Sequence, residues 1–66
     1  MEKEIEKLAK LILLYAKNDI FNGTGRVFIN VLINQGYKYE QILRAIEKLN
    51  YMYDIKIVGN IIKIKF

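Results

Sequence analysis

The sequence predicts an α+β fold in a single domain over residues 1-66: three helices followed by a C-terminal two-stranded β-hairpin. Three observations carry this prediction. Apolar residues recur at helical spacing over Ile5, Leu8, Ile12 and Tyr15, and again over Ile42, Leu43, Ile46 and Leu49. Beyond Tyr53 the apolar period changes from helical to two. A Gly59-Asn60 pair stands in the middle of that last segment, where a two-residue hairpin turn belongs.

The first helix is predicted over Glu2 to about Asn18, a stretch without Gly or Pro. Its acids, Glu2, Glu4 and Glu6, come early, and Lys10 and Lys17 come late, which suits the helix dipole. Leu13 falls on the stripe of Glu6, Lys10 and Lys17, and Leu14 on that of Lys3, Lys7 and Asn18. The end of this helix is therefore apolar nearly all round. Leu11, Leu13, Leu14 and Tyr15 exceed what one face buries in a small core, so a homodimer through the first helix is expected.

Asp19 to Gly23 reads as a connector. Ile20-Phe21 fits a very short strand pairing with the hairpin, and Asn22-Gly23 is a turn signal. The second helix is predicted from about Thr24 to Gln35, capped by Thr24 or Asn22, with Val27, Phe28, Val31 and Leu32 buried. Gly36 suits the left-handed position that closes a helix. The third helix is predicted over about Tyr39 to Tyr51. Ile42, Leu43, Ile46 and Leu49 point inward, and Glu40, Gln41, Arg44, Glu47 and Lys48 outward. Glu40 and Arg44 stand four apart in the favourable order for a surface pair.

Pairing across Gly59-Asn60 sets the hairpin register. Val58 falls opposite Ile61, Ile57 opposite Ile62, Lys56 opposite Lys63, Ile55 opposite Ile64 and Asp54 opposite Lys65. One face, Tyr53, Ile55, Ile57, Ile62, Ile64 and Phe66, covers the helices. The other holds Asp54, Lys56, Val58, Ile61, Lys63 and Lys65. Gly in first place suits a type II′ turn.

Composition narrows the function. Sixty-six residues make a marginal core, and there is no Cys to form a disulfide and no His or Cys to bind zinc. Dense apolar packing and oligomerisation remain, and 53% hydrophobic content suits both. Without His or Cys the commonest acid-base and nucleophilic groups are missing, so the chain is not expected to be an enzyme or to carry a cofactor or metal. The GTGR segment, Gly23 to Arg26, lacks the longer Gly-rich run ending in Lys-Ser or Lys-Thr of a phosphate-cradling loop. The run Leu8 to Ala16 contains Lys10 and is too short to span a bilayer, so a cytoplasmic protein without membrane contact is expected. The richness in Ile, Lys, Asn and Tyr matches AT-rich coding, as in many archaeal and viral genomes.

The net charge of +4 favours a polyanionic partner. Lys38, Gln41, Arg44 and Lys48 recur at spacings of three and four, forming one stripe on the third helix. Arg reads guanine bidentately, Gln reads adenine, and Lys neutralises phosphate. Lys56 and Lys63 face each other on the hairpin, with Lys65 beside them, a repulsion that a bound phosphate relieves. Arg26 lies where it reaches a DNA backbone from the start of the second helix.

Two helices and a connector, then a helix running into a terminal hairpin over Gly36 to Phe66, resemble the winged-helix variant of the helix-turn-helix. The resemblance covers nearly the whole chain. It implies double-stranded DNA binding, with the third helix in the major groove and the hairpin, or wing, on the backbone or minor groove. By position that falls to Gln41, Arg44 and Lys48 on the helix and to Lys56, Lys63 and Lys65 on the wing. A transcriptional regulator acting as a homodimer is the leading expectation. Winged helices also serve as docking modules within replication, transcription or membrane-remodelling machines. The nearly uncharged second helix, and Tyr37 and Tyr39 in place of Ser or Thr caps, suit that alternative.

Overall fold

The computed structural model describes residues 2–66, with side chains from Lys3 onward. In chain order the elements are α1 (Glu2–Asn18), β1 (Ile20–Phe21), β2 (Thr24–Phe28), α2 (Ile29–Asn34), α3 (Tyr39–Leu49), β3 (Asp54–Val58) and β4 (Ile61–Lys65). The α+β class is as expected. The expected two-stranded hairpin is instead half of a four-stranded antiparallel sheet, ordered β1-β2-β4-β3.

The difference arises at Thr24–Phe28, which is a strand and not the first half of the second helix. Thr, Val and Phe favour strands, and Gly is poor in a helix interior. β4 also has two edges, and β3 pairs with one of them. Pairing with β2 satisfies the backbone groups on the other. Asn22 and Gly23 both have positive φ, 54° and 78°, as a type I′ hairpin turn requires. Ile20-Phe21 therefore pairs with β2 and not with the C-terminal hairpin.

α2 is left with six residues, starts without a side-chain cap, and buries Ile29 and Leu32. The caps expected from Thr24 or Asn22 are not formed, because both lie in the first hairpin. Val27 is buried, but from a strand; Phe28 and Val31 are exposed. The Ile29 N–H donates to the Asn60 carbonyl at 2.9 Å, tying the start of α2 to the tip of the second hairpin. Gly36 takes φ 100° beyond the helix, as expected of a left-handed closing residue.

α1 is the centre of the packing. Ile5, Leu8, Ala9, Ile12 and Ala16 bury its apolar stripe between α3 and β2. α3 contributes Ile42, Ala45, Ile46 and Leu49; the sheet contributes Val27, Ile62 and Ile64. Each large apolar side chain fully buried here contributes about 1.5–3 kcal/mol by removal from water. Leu43, expected inside, is 38% exposed, because the buried stripe of α3 runs through Ala45. The second hairpin keeps the register read from the sequence, and φ is positive at Gly59 alone, consistent with type II′. On its helix-facing side Ile62 and Ile64 are fully covered and Tyr53 and Ile55 half-covered. Ile57 and Phe66 lie at the margin and stay exposed; Phe66 meets the Tyr53 ring edge to face at 5.3 Å.

Candidate nucleic-acid interface

The residues expected to contact DNA divide into two clusters on opposite sides of the sheet. Side chains alternate along a strand, so the face opposite Val27, Ile62 and Ile64 points away from the helices. Reading across β2, β4 and β3, that outer face consists of three rows. Arg26, Lys63 and Lys56 stand opposite one another in the middle row. Thr24, Lys65 and Asp54 form the row on one side, and Phe28, Ile61 and Val58 the row on the other. The cations Arg26, Lys56, Lys63 and Lys65 thus gather on one sheet face. Two adjoining hollows cover it, one lined by Asp19, Phe21, Thr24, Arg26 and Lys63, the other by Thr24, Asp54, Lys56, Lys63 and Lys65.

Three cations in line across neighbouring strands repel one another. Arg26 is partly compensated: its Nε lies 3.4 Å from Asp19 Oδ2, with both side chains nearly half exposed. The Arg26 N–H also donates to the Asp19 carbonyl at 3.3 Å, continuing the first hairpin by one pair. Lys56 and Lys63 form no ion pair among the described residues. Lys63 is the central member and is half-buried by its neighbours.

The helix cluster is less open. Lys38 and Arg44 are exposed, while Gln41 and Lys48 are half-buried. Gln41 is held at both ends. Its Oε1 accepts the Lys38 N–H at 2.9 Å, and its Nε2 donates to Glu4 Oε2 at 3.5 Å. The first contact satisfies one of the free N–H groups at the start of α3. The helical period sets Glu40, Arg44 and Glu47 opposite the buried stripe, so the outermost line of α3 is two acids around one arginine. Arg44 makes no ion pair with Glu40 among the described residues.

The residues expected at a dimer contact are also divided. Leu11, Leu13 and Tyr15 pack half-buried against the chain's own core, and Leu14 is 54% exposed. Tyr15 Oη accepts a hydrogen bond from Gln35 Nε2, which joins α1 to the end of α2. Phe21, 74% exposed, and Phe28 flank the cation row and belong to the same outer face. Neither was expected there from the sequence, although Asn-Gly between two period-two segments is the strongest short hairpin signal.

Comparison with protein-family models, with characterised proteins and with solved structures returns no match. Among the described residues no group of three His, Cys, Asp or Glu side chains is arranged to hold a metal ion. Among the described residues no helix is long and apolar enough to cross a membrane.

Proposed function

We propose that this chain is a non-enzymatic double-stranded DNA-binding protein of the winged-helix type, acting as a transcriptional regulator. The observation that carries the proposal is the in-register row Arg26–Lys63–Lys56, with Lys65 beside it. Such a row is unfavourable in isolation and favourable against a line of phosphates. The order of elements supports the family. Setting β1 aside, β2 follows α1, α2 and α3 come next, and the hairpin returns so that β4 lies between β2 and β3. β1 is an addition to that plan.

In this reading the sheet cations supply sequence-independent affinity by displacing counterions. α3, on the opposite side of the sheet, meets DNA separately from that face: Arg44 supplies base contact, with Lys38 and Lys48 on phosphates. Glu40 and Glu47 keep phosphates away from most of that helix, so the sheet carries the larger share of affinity.

The test is a titration of random duplex DNA at several salt concentrations. The triple change Lys56→Gln, Lys63→Gln, Lys65→Gln should flatten the log-affinity against log-salt plot by roughly 0.9 for each phosphate no longer neutralised. Unchanged affinity and slope would remove the sheet from the interface. A protein-docking role is the second reading. Exposed Phe21, Phe28, Val31 and Val58 favour it, and salt-independent weak DNA binding would select it.

A further inference from the structure

The sheet has two ends, and they differ. β1 is two residues long, too short to template another strand. β3 has five residues and no proline, and among the described residues nothing pairs with its outer edge. The hairpin register fixes which backbone groups lie on that edge. Val58 and Ile61 close the two-residue turn as a hydrogen-bonded pair, so Lys56 and Asp54 also direct their N–H and C=O groups to β4. Ile55 and Ile57 direct theirs outward, and these bond to nothing among the described residues. The side chains at this edge are incompletely covered as well: Ile57 is 40% exposed and Ile55 half-buried.

We infer that β3 pairs antiparallel with β3 of a second copy about a two-fold axis through Ile55. Direct partners in an antiparallel pair share a face, so helix-side residues must meet helix-side residues. Three neighbouring registers satisfy that condition, and charge separates them. Setting Ile55 against Ile57 of the second copy puts Lys56 against Lys56. Setting Ile55 against Tyr53 puts Asp54 against Asp54. Setting Ile55 against Ile55 puts Asp54 against Lys56 twice, once in each direction. This last register also uses the free backbone groups. Ile55 exchanges both its bonds with Ile55 of the second copy, and each Ile57 N–H meets a Tyr53 carbonyl. The Tyr53 N–H is already given to the Leu49 carbonyl, so four inter-chain bonds form. The result is one eight-stranded sheet with both helix layers on the same side, and the cation rows of both copies share one outer face. The pairing does not rest on the DNA-binding reading.

Sedimentation of the wild type at rising concentration should report a reversible dimer. Asp54→Lys and Lys56→Asp should each weaken it by at least about tenfold, since two attractive pairs become repulsive. The double change Asp54→Lys, Lys56→Asp should restore it, because each chain again meets its complement. Circular dichroism separates loss of pairing from loss of fold in the single variants. The chain has no native cysteine, so register is read by oxidation. A mixture of Asp54→Cys and Lys56→Cys chains should cross-link to each other faster than either does to itself. A monomer at hundreds of micromolar would overturn the inference. So would faster self-linking of Lys56→Cys, or a dimer abolished by Leu14→Glu and indifferent to the Asp54 and Lys56 changes.

Discussion

A Cβ atom placed on Gly25 would lie 2.4 Å from the Ala16 carbonyl oxygen, so β2 and α1 meet with no room for a side chain between them. This approach sets the spacing of the sheet from the central helix. It requires a glycine on the strand and an alanine on the helix. Because the obstacle is backbone, it cannot rotate away. Gly25→Ala should cost about 1–3 kcal/mol by overpacking. For a domain this small each kcal/mol lowers Tm by about 4–8 °C. Chemical denaturation measures it; a neutral result would mean that α1 and β2 shift apart freely.

Two leucines should separate core from surface. Leu32 is fully buried, and Leu32→Ala should cost about 2–5 kcal/mol. Leu14 is exposed, and Leu14→Glu should change stability by no more than about 0.5 kcal/mol. Urea titrations of both variants test this. A large loss at Leu14 would reveal a partner surface covering α1.

Asp19 restrains Arg26 and adds a negative charge to the cation face. Asp19→Asn should cost stability at most about 1 kcal/mol, the range for an exposed pair. It should strengthen binding to random duplex DNA and steepen its salt dependence by up to roughly 0.9, as Arg26 becomes free for a phosphate. Weaker binding by the variant would place Asp19 as a positioning residue for Arg26.

Arg44 tests the helix. On a duplex selected by enrichment from random sequence, Arg44→Ala should cost about 1–3 kcal/mol and relax preference at one base pair. The loss on a scrambled duplex should be smaller. Equal losses on both would reduce Arg44 to a phosphate ligand.

Elements with local signals are legible along the chain. The first and third helices, the left-handed Gly36 and the full register of the second hairpin follow from periodicity and from Gly-Asn in a two-residue turn. The shared face of Lys56, Lys63 and Lys65 follows from that register. The state of Thr24–Phe28 was settled by packing at long range. Taken locally, Val27, Phe28, Val31 and Leu32 fit a helix stripe. The strand prevails because β4 offers an unpaired edge and Gly25 fits against Ala16, neither of which is visible in a short window. That one change brings Arg26 into line with Lys63 and Lys56 and exposes Phe28 beside them. The hold on Gln41, by the start of its own helix and by Glu4, likewise depends on α1 packing across α3. Pairing of β2 with β4, strands distant in the chain, added Arg26 to the lysine face, and no short window of sequence contains that step.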